Sequence, residues 1–395
     1  MTLAFHYHIP AIQKEDGIYM PGYLATFIDG LAKKCDTLIC YLHTPIKNEL
    51  KQMDYKLTST NIELVSIGKH IGVFKRVLYS TQFIKQIEQD IKSRSIDLML
   101  MRAPSPLLPF VTKVCIDNNI KYSYLIVGDY VKNLKESKNI KPIKRFILNI
   151  FYKYNRYYQD KYSQNTLLFT NNPIIAQEYK SFNIKEIRTT TLSEKDFYYD
   201  ETFYKNKKLN ILYAGRIEPS KGIEDILNAV KILVNKGIDV TFNLVGWDAS
   251  KGEVHLKYLQ NKVEALNLSK NFIFHGKKQV GIELFTMYRQ SDIYIIATRG
   301  DEGFPRTIWE AMANSSVVIS TKAGSIPIIL KDKENTILVD KNSPEQISES
   351  IIELLQNLKL VNKLQENGFA LAQTNTIEKQ SSIVISKIKE FINEK

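Results

Sequence analysis

The chain alternates short β-rich apolar runs with helix-compatible segments, and it does so in two successive sets. No other feature narrows the fold as much, because strands alternating with helices build parallel sheets flanked by helices. The first set holds LAFHYHI (Leu3–Ile9), TLICYL (Thr37–Leu42), IELVSI (Ile62–Ile67), IDLMLM (Ile96–Met101), YSYLIV (Tyr122–Val127) and TLLFT (Thr166–Thr170). The second holds LNILYAG, VTFNLVG, NFIFHG, DIYIIAT, SVVIST and TILVD, between Leu209 and Asp340. Most of these runs are rich in Ile, Val and Leu, as strands buried on both faces are. Between the sets, SEKDFYYDETFYKNKK (Ser193–Lys208) breaks the pattern and is expected as a linker. A chain of 395 residues is too long for one core. Two α/β domains are therefore expected, over residues 1–192 and 209–375. The final helical stretch, residues 376–395, has apolar residues at helical spacing and could pack on either.

Composition removes several function classes. Cys35, Cys40 and Cys115 stand without a C-x-x-C or a histidine-rich pairing, so neither a disulfide framework nor a zinc site is indicated. No secretory signal and no membrane-spanning apolar run is visible, which makes the cytoplasm the expected location. The formal net charge of +12 favours a polyanionic partner. Part of that charge lies in residues 131–162, where Lys and Arg alternate with Ile, Phe, Leu and Tyr. Such a helix fits an interfacial contact with an acidic membrane surface, or equally a solvated helix that packs its stripe on its own domain. Nucleic acid ranks third, since no nucleic-acid-binding module is recognisable.

In open parallel sheets, ligands sit outside the carboxyl ends of the strands, where helices begin. After LNILYAG comes RIEPSKGIEDIL, which sets Arg216 and Lys221 around a turn at a helix start. A guanidinium fork, an ammonium and a helix dipole together suit a pair of phosphates; the plain alternative is two surface charges. After DIYIIATR comes GDEGFPRTIWEAMA (Gly300–Ala313), with Glu302 before a tight turn at Gly303 and Glu310 inside an apolar helix. An unpaired carboxylate at Glu310 would be expensive. Two adjacent ribose hydroxyls could satisfy it, and so could an internal ion pair. Glu302 would face sugar hydroxyls, or serve as an acidic charge at a helix start.

The succession YAGRIEPSKGIEDILNAV, FHGKKQVGIELFTMYRQSDIYI, EGFPRTIWEAMA and STKAGSIPIILKDKENTILVD resembles the C-terminal domain of the retaining glycosyltransferases of family 4. Glu302 and Glu310 match that family's E-x7-E motif, and HIPAIQKEDGIYMPGYLATF is similar to its opening strand and glycine-bearing loop. The resemblance implies the GT-B architecture, two Rossmann-like domains with parallel sheets facing across a cleft. It also implies a last helix packing back on the first, acceptor-binding domain. A nucleotide-sugar donor would be held by the second domain: Arg216 and Lys221 on the diphosphate beside Gly215, and Glu310 on the ribose. Glu302 would meet the donor sugar near the amides of Gly303 and Phe304, with the base near His275, Gly276 and Lys277. Gly17 and Gly22 stand where the family's glycines approach the phosphates or the acceptor. No cofactor and no divalent metal is expected. Many relatives have a His where this chain has Asp129; Asp129 either replaces it as a contact to the sugar or acceptor, or caps the basic helix.

The expected function is retaining transfer of a sugar from a UDP- or GDP-sugar to a glycan or lipid-linked glycan. The expected setting is bacterial surface polysaccharide synthesis, in the cytoplasm or at the cytoplasmic face of the inner membrane. A nucleotide-sugar epimerase or a phosphorylase on the same architecture, or a non-catalytic nucleotide-binding protein, is the alternative. A dinucleotide-dependent dehydrogenase is set aside, since no G-x-G-x-x-G follows either opening strand.

Overall fold

A computed structural model describes residues 1–131, 134, 140–204, 208–300 and 303–394, the side chains of residues 73 and 74 aside. The chain divides into two compact units. One comprises Met1–Thr189 with Glu378–Lys395, the other Thr190–Ile377.

The first unit contains β1 (Thr2–Pro10), β2 (Ile12–Lys14), β3 (Gly17–Met20), β4 (Thr37–Thr44), β5 (Tyr55–Lys56), β6 (Ile62–Lys69), β7 (Leu98–Ala103), β8 (Lys121–Ile126), β9 (Leu167–Thr170) and β10 (Ile184–Glu186). Seven of these form a parallel sheet in the order β10-β9-β8-β7-β1-β4-β6, and β2, β3 and β5 form a small antiparallel one. Side chains alternate across the large sheet with the period of two that strands impose. Leu3, Phe5, Leu38 and Cys40 pack into one apolar cluster, and Ala4, Ile39 and Tyr41 into another on the opposite face. The last helix, Ile377–Asn393, places Val384, Ile385 and Ile388 in the cluster with Leu3 and Phe5. Burying three such side chains is worth roughly 2 kcal/mol each, which holds the chain's end on the first unit.

Helix Pro142–Ser163 has its polarity reversed. Its inner face is largely polar, with Asn155, Gln159 and Ser163 buried beside Leu148. The Asn155 amide donates to the Ser105 carbonyl at 3.0 Å, and Gln159 donates to the Tyr179 hydroxyl at 2.9 Å. Its outer face carries Ile143, Phe146, Ile147, Ile150, Tyr154 and Tyr157, all exposed. Helical spacing of 3, 4 and 7 residues sets these side chains on one stripe. These six side chains do not pack on their own unit, whereas Leu148 and Tyr162 of the same helix do, so the packed-stripe alternative holds only in part. In the stretch before this helix, residues 132–133 and 135–139, with the basic Lys132, Lys135 and Lys138, lie outside the described ones.

The second unit contains β11 (Leu209–Arg216), β12 (Val240–Trp247), β13 (Phe272–Gly276), β14 (Ile293–Ile296), β15 (Val317–Thr321) and β16 (Ile337–Val339). They form one parallel sheet ordered β13-β12-β11-β14-β15-β16. Residues 193–204 are bonded to this unit. The Tyr198 N–H donates to Ala313 at 2.9 Å, that of Asp200 to the Ser315 hydroxyl at 2.8 Å and that of Tyr204 to Asp292 at 2.7 Å.

The second sheet grows from β11 outward in both directions, so successive connections diverge between β11 and β14. Loops on either side of such a switch point leave a crevice beyond the strand ends, the usual ligand position in doubly wound sheets.

Candidate functional site

At that switch point the loops after β11 and β14 meet. The Arg299 N–H donates to the Ser220 carbonyl at 2.7 Å, and the Thr298 hydroxyl reaches the same oxygen at 3.3 Å. Gly222, which opens helix Ile223–Asn235, sits at φ +65°, and a Cβ there would come within 2.0 Å of the Ala297 carbonyl oxygen. Only glycine lets the two loops approach this closely. Its place after Lys221, just before an apolar periodic run, was the available sequence signal. The Arg299 guanidinium donates to Asp225 through Nη2 at 2.7 Å and Nε at 3.1 Å, which fixes the β14 loop against the helix.

Lys221 lies at the base of this crevice, only 7% exposed. Burial, and then the nearby Arg216 charge, push its ammonium down to about 8. Glu218 stands near both cations, 3.8 Å from the Lys221 nitrogen and 3.4 Å from Arg216. Arg216 is half-exposed. Gly215 has φ +156°, and a Cβ there would press on the Tyr213 hydroxyl at 3.0 Å.

The residues expected near a base lie at the neighbouring strand ends. Arg216 pairs in register with Trp247, and Val245 with Gly276. The Lys277 ammonium sits 5.3 Å from the centre of the Trp247 ring. His275 Nε2 meets the Asn243 side-chain oxygen at 2.9 Å, and partial burial followed by the Lys278 charge lowers its pKa.

Beyond β14, Phe304 stacks on Trp309 with ring centres 4.3 Å apart, both buried. Gly303 precedes it, and Pro305 caps helix Arg306–Ala313. Glu302 lies outside the described residues. Glu310 is buried within that helix, but its oxygens are engaged by the protein. The Thr191 hydroxyl donates to Oε1, and the Tyr288 hydroxyl donates to Oε2 at 2.9 Å. Burial and the Glu310 charge hold the Tyr288 hydroxyl well above its ordinary pKa, so it stays a donor. Neither ribose hydroxyls nor an ion pair is needed to explain this buried carboxylate. Thr191 and Tyr288 are 119 and 22 residues away in sequence, and nothing in the motif announces them.

Two expected site residues belong to the first unit. Gly22 opens helix Gly22–Ala32 and gives its N–H to Asp54 at 2.9 Å. Asp129 accepts from the Val131 N–H at 2.7 Å and pairs with Arg156 at 2.8 Å. Asp129 thus caps the Val131 N–H, while the basic helix Pro142–Ser163 has Lys141 at its N-cap.

Residues 195–370 match the family described as glycosyl transferases group 1, a span that holds the switch-point crevice. An uncharacterized glycosyltransferase of Methanocaldococcus jannaschii is 25% identical over 362 residues, 92% of this chain and 95% of that one. The matches support a glycosyltransferase. The D-inositol 3-phosphate glycosyltransferase of Corynebacterium glutamicum is 25% identical over 166 residues, 42% of this chain and 39% of its own length. Among solved structures, a glycosyltransferase of Rickettsia africae aligns with a TM-score of 0.73 at 18% identity, covering 100% of this chain and 99% of the other. The Anabaena protein HepE, solved in complex with UDP, aligns with a TM-score of 0.70 at 16% identity, covering 99% and 100%. These likenesses establish the GT-B type of α/β fold.

Proposed function

We propose that the protein is a retaining, metal-independent glycosyltransferase. In this reading it moves a sugar from a UDP- or GDP-sugar to a saccharide or lipid-linked saccharide during bacterial surface polysaccharide synthesis. The observation that carries the reading is the pair Arg216 and Lys221 at the switch point of the very unit that matches the group 1 family. A buried ammonium and an exposed guanidinium set side by side at a helix start suit the two phosphates of a nucleoside diphosphate. HepE has also been solved in complex with UDP-glucose, which favours UDP as the carrier.

In the reaction the bond between the sugar's anomeric carbon and the diphosphate oxygen breaks, and the acceptor oxygen bonds to that carbon on the same face. The acceptor's proton passes to the departing phosphate oxygen. Arg216 and Lys221 stabilise the charge that grows on the diphosphate, with the Gly303 and Phe304 amides nearby. Nuclear magnetic resonance of donor left to hydrolyse slowly tests the stereochemistry: the first-formed free sugar should keep the donor's anomeric configuration, with a rate unchanged by EDTA. An inverted first product would contradict retention, and a rate abolished by EDTA would contradict metal independence.

The state of Lys221 makes binding pH-dependent. With its pKa lowered to about 8, the free protein carries the ammonium below pH 8 and loses it above. Nucleoside diphosphate affinity should therefore be full below pH 8 and fall by up to about tenfold per unit above it. Calorimetric titration with UDP between pH 7 and 9.5 measures this, and a flat profile would mean that Lys221 does not meet the phosphates.

The reversed helix Pro142–Ser163 supports a peripheral contact with an acidic membrane surface. Its outward stripe of Ile143, Phe146, Ile147 and Ile150 is accompanied by Lys144, Lys153 and Lys161, the pattern of a helix lying in a lipid interface. No described helix is long and apolar enough to cross a membrane. Replacing Phe146 and Ile150 by Glu should reduce co-sedimentation with phosphatidylglycerol vesicles at least tenfold. The melting temperature should not change, because both side chains are exposed. Equal sedimentation of the variant would remove the membrane reading.

A further inference from the structure

The first sheet has a switch point of its own. Its order sets β1 between β4 and β7, so the connections diverge there as they do in the second sheet. Tyr7 and His8 stand near the end of β1, Arg102 near the end of β7, Tyr130 shortly after β8, and Arg76 on the short helix Val73–Leu78 after β6. The His8 ring meets the Tyr130 hydroxyl at 3.1 Å, and Tyr130 packs on Tyr152 with ring centres 4.8 Å apart.

Two guanidiniums adjoin this cluster. Arg76 is only 5% exposed; its Nη1 donates to the His8 carbonyl at 3.0 Å and lies 3.2 Å from His70 Nε2, while its Nε is buried with no partner. Arg102 lies over the Tyr7 ring at 4.9 Å, and its Nε too is buried without a partner. Among the described residues neither forms an ion pair. The nearby carboxylates are spoken for: Glu49 by His70 at 2.6 Å and the Ile46 N–H at 3.0 Å, Asp129 by Arg156. The imidazoles of His6 and His43 add no further positive charge, since burial pushes their pKa values down to about 4 and about 3. Arg76 is therefore a buried cation and Arg102 a partly buried one, neither held in an ion pair among the described residues, an arrangement that favours the arrival of an anion. Planar guanidinium forks are matched best by phosphate or carboxylate.

We propose that the switch point of the first sheet binds an oxyanion, a phosphate or a carboxylate carried by the acceptor, between Arg76 and Arg102 and beside Tyr130 and His8. Its assignment to the acceptor rests on the glycosyltransferase reading; the binding of an oxyanion does not.

The test uses the full chain carrying Arg216→Gln and Lys221→Met, so that the cations of the second unit do not compete. Calorimetric titrations with inorganic phosphate, with glucuronate and with glucose as the neutral control separate the two sources of charge. At least one oxyanion should bind, glucose should not, and Arg102→Gln should weaken that binding at least tenfold while Lys180→Gln leaves it unchanged. Phosphate binding alone assigns a phosphate ester, and glucuronate binding alone assigns a uronic acid. Arg76→Gln should act like Arg102→Gln; if burial makes that variant unfold, the half-buried Arg102 carries the test. Binding of neither anion, or undiminished binding to Arg102→Gln, would overturn the proposal. Stabilisation of the unaltered chain by nucleotide sugars is read separately, which tells failure of this site from failure of the glycosyltransferase reading.

Discussion

Replacing Lys221 by Met should weaken nucleoside diphosphate binding about a hundredfold while leaving the protein at least as stable as before. The two halves of that expectation have one cause. The Lys221 ammonium is buried, its pKa is pushed down by that burial and by Arg216, and Glu218 is 3.8 Å away. A lowered ammonium pKa means that the folded protein disfavours this charge on balance, so an apolar side chain of similar volume removes a net cost. The same charge, aimed at a diphosphate in a poorly solvated crevice, contributes to binding on the scale of a lost oxyanion contact, roughly 3 kcal/mol. Thermal melting and UDP titration of the one variant measure both effects. Undiminished UDP affinity would take Lys221 out of the donor site.

Glu310→Ala should behave in the opposite way, lowering stability by about 3 kcal/mol whether or not a nucleotide is present. The change strands two buried hydroxyl donors, Thr191 and Tyr288, and leaves a cavity where the carboxylate stood. Glu310→Gln keeps one acceptor oxygen and should cost less. Urea denaturation without nucleotide measures the loss. Unchanged stability there, together with lost nucleotide binding, would restore the ribose role that the E-x7-E resemblance implies for this residue.

The two outcomes mark where sequence reasoning works and where it stops. All six runs from LNILYAG to TILVD became strands of the second sheet, because segments buried on both faces must be apolar throughout. The short strands β2, β5 and β10 went unseen, since each carries a single apolar residue, and β3 went unseen as well. Arg216 and Lys221 were legible because the turn and helix that bring them together are local. Thr191 and Tyr288 were not, since only tertiary packing brings them to Glu310. The apolar stripe of helix Pro142–Ser163 could be read from its spacing, but periodicity does not tell which way a stripe faces. Its outward turn follows from Asn155, Gln159 and Ser163 finding partners inside. Arg76, Arg102 and His8 are spread over some 95 residues of sequence and meet only because β1, β6 and β7 end on one edge of the sheet.

The central claim is that the second unit holds a nucleotide-sugar donor through Arg216 and Lys221. Thermal melting against UDP-, GDP-, ADP- and dTDP-sugars tests it most directly. At a hundred times its dissociation constant, the true donor should add about 2.7 kcal/mol to stability. The account predicts a clear upward shift with at least one of the four, absent in the Lys221→Met variant. No shift with any of them, or an equal shift in the variant, would contradict it.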